Sequence, residues 1–103
     1  MIQLLKKILG IQSVDYLSLL EEGAIIVDVR TSLECKHGKI EKSENIPLDS
    51  LSAKIKKLKK TNKVIIFCCA SGIRSSQACS MAKAKGIHAF NGGSWKELKR
   101  KLN

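Results

Sequence analysis

The segment Val64–Ser76 (VIIFCCASGIRSS) runs from apolar residues into two adjacent cysteines, three small residues, and then Ile73, Arg74 and Ser75. Residue types and spacing here suit nucleophilic chemistry at sulfur. Cys69 is a strong nucleophile once ionised. Ala70, Ser71 and Gly72 are small enough to let successive backbone N–H groups converge on one point. A helix starting just beyond them would turn its positive end to the same place. Arg74 adds a permanent charge, so the loop Cys69-Ala70-Ser71-Gly72-Ile73-Arg74 should favour a thiolate near neutral pH. The same cradle would accept an oxyanion. The remaining cysteines have plainer readings. Cys68 extends the apolar strand into the core, Cys79 packs on a helix beside Ala78 and Ala82, and Cys35 packs in a loop region. None of the four forms a C-x-x-C pair with histidine partners, and His37 and His88 show no triad or metal-ligand pattern, so no metal site is expected.

Such a loop needs a buried strand to carry it and a helix to follow it. Ala24–Val29 (AIIVDV) and Val64–Cys68 (VIIFC) are near-continuous β-branched runs, the pattern of strands covered on both faces of a parallel sheet. Ile87–Phe90 (IHAF) gives a third strand. Between them lie helical patterns. Ser13 is placed to cap a helix running to Glu22, with Gly23 as its terminator. Leu48, Leu51, Ile55 and Leu58 form one apolar stripe on a helix that begins after Pro47. Ser75–Lys85 reads as a helix rich in small residues and ended by Gly86, and Gly92-Gly93 leads into a final helix bearing Trp95, Leu98 and Leu102. This alternation predicts an α/β domain over residues 13–103, with a mainly parallel central sheet flanked by helices and a short N-terminal helical extension over residues 1–12. In open parallel sheets ligands bind beyond the carboxyl ends of the strands, which is where the cysteine loop falls.

Composition narrows the function classes. At 103 residues one domain is expected, and an apolar content of 44% with a single proline excludes collagen-like and low-complexity chains. No apolar run approaches the roughly 18–20 residues needed to span a bilayer. Met1–Gly10 has Lys6 and Lys7 inside its apolar stretch and no small-residue cleavage site, so it reads as an amphipathic helix packed on the domain rather than a signal peptide or membrane anchor. A cytoplasmic protein with free thiols is the expectation. Nineteen basic residues against nine acidic give a net charge of +10, a field that attracts anions without choosing among them. The six lysines of Lys54–Lys63 fall on the non-apolar side of the Ile55/Leu58 stripe, as a solvated helix face does. With one Trp, one Tyr and two Phe there is no base-stacking module, so specific nucleic-acid binding is not expected.

The loop and its surroundings resemble the rhodanese (sulfurtransferase) family. Its C-x-x-G-x-R signature followed by Ser falls on Cys69, Gly72, Arg74 and Ser75. A second block, D-V-R-x-x-x-E…G-H-I…N-I-P, is matched by Asp28-Val29-Arg30, Glu34, Gly38, Ile40 and Asn45-Ile46-Pro47, and Gly92-Gly93 with Trp95 supplies a third. Cys35 stands where the family usually has Phe or Tyr, Lys39 where it has His, and Lys42-Ser43 where it has Gly-Ala. The resemblance implies a three-layer α/β domain needing no metal or organic cofactor. It also implies sulfur transfer from a small anionic donor such as thiosulfate, through a persulfide on Cys69, to a thiol or an acidic partner protein. Asp28, Arg30 and Glu34 would order the neighbouring loop by ion pairing, and Cys35 is a candidate resolving thiol. One alternative competes. Cys68 and Arg74 fit the C-x5-R signature of cysteine phosphatases and arsenate reductases, followed by Ser. Gly72 lies three residues after Cys69 but four after Cys68, and Phe67 stands where phosphatases commonly place His, which favours Cys69. A further alternative is a low-turnover sulfur-carrier or docking module.

Overall fold

The structure, a computed structural model, describes residues 13–103, so the helix expected over residues 1–12 lies outside the described residues. Four strands form one sheet in the order β2-β1-β3-β4: β1 Ile25–Asp28, β2 Glu44–Asn45, β3 Ile65–Cys69 and β4 Ala89–Ser94. Every neighbouring pair is parallel. The helices are α1 Tyr16–Glu21, α2 Ser32–Lys36, α3 Leu48–Lys60, α4 Ile73–Ala84 and α5 Trp95–Leu102.

The central strand sorts the layers. All five residues of β3 are buried, and alternate ones enter different cores. Ile65, Phe67 and Cys69 join Val27 and Val29 beneath Leu51, Ile55 and Leu58 of α3 and Ala78 and Ala82 of α4. Ile66 and Cys68 join Ile26, Ile40 and Leu98 on the other side, where Tyr16, Leu20 and Trp95 pack against them. Phe67, Leu51 and Ile65 are fully buried, each worth roughly 1.5–3 kcal/mol of hydrophobic stabilisation. The apolar stripe on α3 and the continuous apolar run of β3 thus do what their sequence patterns predict.

Several boundaries differ from the sequence expectation, each for a local reason. Asp15, not Ser13, caps α1: its carboxylate accepts the Ser18 N–H at 3.0 Å and the Ser18 hydroxyl at 2.7 Å. Helix α2 was not anticipated. It is set by a capping box in which Thr31 Oγ1 accepts the Glu34 N–H while Glu34 Oε1 accepts the Thr31 N–H, at 3.2 and 3.1 Å. The third long strand begins at Ala89 instead of Ile87 and continues through Gly92-Gly93 to Ser94. Its register against β3 slips between Phe67, opposite Asn91, and Cys68, opposite Gly93. Gly92 is the extra residue, and a Cβ there would come within 3.0 Å of Ile66 Cγ2 and Leu98 Cδ2, so only glycine lets the strand lie this close.

Candidate active site

Cys69 is the last residue of β3 rather than a loop residue, and α4 starts at Ile73, with Gly72 three residues after the cysteine as its N-cap. Gly72 adopts φ +100°, a left-handed conformation costly for residues with a Cβ. That turn aims its N–H at Cys69 Sγ, 3.0 Å away. From the first turn of α4 the Ser75 N–H also reaches the sulfur, at 3.4 Å, and the Ser75 hydroxyl oxygen lies 3.3 Å from it. Burial pushes the thiol pKa up. The Ser75 hydroxyl, when it turns its proton to the sulfur, and the N–H groups of Ser75, Gly72 and Ser71 outweigh it, leaving the Cys69 thiol more acidic than an ordinary cysteine. The Cys69 side chain is fully buried while Ala70 and Ser71 are exposed. The sulfur therefore sits beneath its loop.

Ser75 is itself fully buried, and its hydroxyl donates to Asn91 Oδ1 at 2.6 Å. Asn91 also donates from Nδ2 to the Gly72 carbonyl at 3.2 Å and accepts the Gly93 N–H at 2.9 Å. It thus ties β4 to both the loop and α4. Sequence reasoning missed Asn91, whose one available signal was its place directly before the Gly92-Gly93 pair.

Arg74 does not stand free above the sulfur. It makes a fork-to-fork pair with Glu34 of α2, Nη1 to Oε1 at 2.7 Å and Nη2 to Oε2 at 3.0 Å. This pair, assisted by the Thr31 N–H, holds the Glu34 carboxyl down to about 2. The charge expected to serve the thiolate is largely taken up in clamping α2 to the start of α4. Asp28 and Arg30 form a second pair, almost wholly buried. Arg30 Nε lies 3.0 Å from both carboxylate oxygens, and Nη2 lies 2.7 Å from Oδ2. Arg30 also donates to the Gly38 carbonyl at 2.8 Å and stacks 4.5 Å over the Trp95 ring. Asn45 Nδ2 donates to the carbonyls of Asp28 and Arg30, fixing the end of β1.

The other two site cysteines belong to this second cluster. Burial and then the Asp28 charge push the Cys68 thiol far up, and the same two causes raise Cys35. Cys68 faces the layer opposite the loop, so the arrangement does not bring it to Arg74 as a phosphatase nucleophile would require. Cys35 has Asp28, Arg30 and Lys39 as charged neighbours, whereas the hydrogen-bond donors around Cys69 come from residues 71–75. The departures at Lys39 and Ser43 are accommodated locally: Ser43 Oγ donates to the Ile40 carbonyl at 2.7 Å, and Lys39 Nζ reaches the Ser43 carbonyl at 3.5 Å. His37 caps the end of α2, and the His88 ring lies 5.2 Å from that of Phe90.

A parallel sheet with a cysteine at a strand's carboxyl end, cradled by a loop and a helix start, defines an α/β domain built around a reactive thiol. Residues 13–101 match the sequence model of the rhodanese-like domain, and the chain belongs to that family. A sulfurtransferase of Allochromatium vinosum is 32% identical over 65 residues, which cover 63% of this chain and 60% of that relative. A human single-domain sulfurtransferase superimposes with a TM-score of 0.64 at 25% identity, over 84% of this chain and 90% of its own. The reduced CoADR-RHD of Bacillus anthracis gives a TM-score of 0.67 at 32% identity, and 82% of this chain matches 15% of that much longer one. Among the described residues no helix is long and apolar enough to cross a membrane.

Proposed function

We propose that the chain transfers sulfane sulfur through a persulfide on Cys69. The observation that carries this reading is the convergence of the Gly72 and Ser75 N–H groups on Cys69 Sγ, at 3.0 and 3.4 Å, at the start of α4. With thiosulfate as donor, the Cys69 thiolate attacks the outer sulfur. A new S–S bond forms, the S–S bond of thiosulfate breaks, and sulfite leaves with the electron pair. The same N–H groups then hold the anionic persulfide as oxyanion-hole donors hold an oxyanion. An acceptor nucleophile, such as cyanide in an assay or a thiol in the cell, attacks the outer sulfur and returns Cys69 to thiolate. The Glu34–Arg74 clamp and the Asp28–Arg30 pair act on the walls rather than on the reacting sulfur. The free cysteines fit a reducing, cytoplasmic setting.

One observation favours a second form of this reading. With Arg74 engaged by Glu34, the loop offers a free dianion little unpaired positive charge, which suits a sulfur carrier loaded by a partner protein. Three assays run side by side separate the cases: thiocyanate formation from thiosulfate and cyanide, hydrolysis of an aryl phosphate, and sulfur uptake from a persulfide-bearing desulfurase. Thiocyanate formation dependent on Cys69 is the expected result. Uptake from the desulfurase alone selects the carrier, and phosphate release dependent on Cys68 overturns both.

A further inference from the structure

We propose that Asn91 is a positioning residue which, through the Ser75 hydroxyl, decides whether a proton or a lone pair faces the Cys69 sulfur; the inference rests on the reading of Cys69 as the reacting thiol. The orientation of the Asn91 amide is fixed by two backbone groups of opposite character. Its Oδ1 accepts the Gly93 N–H at 2.9 Å and its Nδ2 donates to the Gly72 carbonyl at 3.2 Å. Turning the amide over would set donor against donor and acceptor against acceptor. Oδ1 therefore faces Ser75 Oγ, 2.6 Å away, and since a carbonyl oxygen only accepts, the hydroxyl must donate. A hydroxyl has one proton. At its 3.3 Å contact with Cys69 Sγ, Ser75 Oγ consequently presents a lone pair.

This polarity suits the neutral thiol, with S–H donating to Ser75 and Ser75 donating to Asn91. Ionisation removes the thiol proton and leaves a lone pair against a negative sulfur. Relief requires the Ser75 hydroxyl to swing its proton from Asn91 to the sulfur, leaving Oδ1 with Gly93 alone. Asn91 thus competes with the thiolate for one proton, whereas the Gly72 and Ser75 N–H groups donate in either state. The charged and titratable groups around this circuit are Arg74 on α4, Glu34 on α2 which pairs with it, Asp28 at the end of β1, the Cys68 thiol on the reverse face of β3, and Tyr16 on α1, whose hydroxyl donates to the Asn91 backbone carbonyl at 3.1 Å. β4 contributes the neutral Asn91 and Gly93. The buried Ser75 shields its link to sulfur, while Asn91 is exposed and can be replaced without disturbing the core.

The test is the ultraviolet thiolate absorbance across pH, taken for each protein as the difference from its Cys69→Ser counterpart. Asn91→Ala frees the hydroxyl and moves the Cys69 midpoint down by about half to one pH unit, the worth of one hydrogen bond. In a Ser75→Ala background the same change moves it little. Asn91→Asp, a stronger acceptor of nearly the same shape, moves it up. A midpoint unchanged or raised in Asn91→Ala overturns the proposal, as does a fall of equal size without the Ser75 hydroxyl, or a fall in Asn91→Asp. A merely structural Asn91 changes the melting temperature without this dependence on Ser75. Since no sulfur donor is present, failure here is distinct from failure of the sulfur-transfer reading, which is judged by sulfur uptake.

Discussion

Cys68 and Cys69 are covalent neighbours with identical side chains, and the structure gives them opposed chemistry. Strand alternation sends Cys68 into the layer of Ile26, Ile66 and Leu98, where burial and the Asp28 carboxylate keep its thiol protonated. The same alternation delivers Cys69 beneath a loop whose N–H groups reward a negative sulfur. Both sulfurs are fully buried. Burial alone therefore does not decide reactivity. What decides it is whether the enclosing groups are donors or a carboxylate.

Substitutions can break this comparison at either cysteine. The largest effect falls on Cys69→Ser, which should abolish sulfur uptake from any donor, while Cys68→Ala retains it; incubation with donor followed by mass spectrometry checks both. Next comes Asp28→Ala, which strands Arg30 in the interior and should cost about 3–5 kcal/mol in denaturant unfolding, since its pair is almost wholly buried. The Cys69 thiolate midpoint should stay near its original value, because burial and the donors of residues 71–75 set it. Gly72→Ala reverses that balance. Forcing a Cβ into φ +100° costs only about 1–2 kcal/mol of stability, but it turns the N–H away from the sulfur. Loss of that donor should slow alkylation of Cys69 at neutral pH roughly fivefold, as one hydrogen bond implies.

The smallest effect is that of Glu34→Gln. The pair is one-third exposed on each side, so at most about 1 kcal/mol is at stake. Its pH dependence sharpens the assignment. Arg74, with the Thr31 N–H and hydroxyl, lowers the folded-state pKa of Glu34 from 4.5 to about 2, so the stabilisation is complete above 4.5 and is lost as pH falls towards 2. Melting curves of the original chain and Glu34→Gln should differ near neutral pH and converge in acid.

What was legible in the sequence is what local chemistry encodes. The β-branched run of β3 gave the strand, the 3-4-3 stripe gave α3, and Gly72 three residues after Cys69 marked the turn that aims an N–H at sulfur. The T-x-x-E box of α2 was equally local and was overlooked. Arg74 could not be assigned its partner from sequence, because the pair depends on α2 lying beside the first turn of α4, some forty residues away along the chain. Asn91 was hidden for a related reason. Its contact with Ser75 depends on the register of β4 against β3, which slips by one residue next to Gly92, and hydrophobic alternation carries no record of such a slip.

The central claim, that Cys69 and not Cys68 carries the transferable sulfur, is tested most directly by incubating the intact chain with thiosulfate, or with a persulfide-bearing desulfurase, and mapping the adduct by peptide mass. The account predicts a gain of one sulfur atom, about 32 Da, on Cys69, removed by cyanide. An adduct on Cys68, or none on Cys69 with either donor, contradicts it.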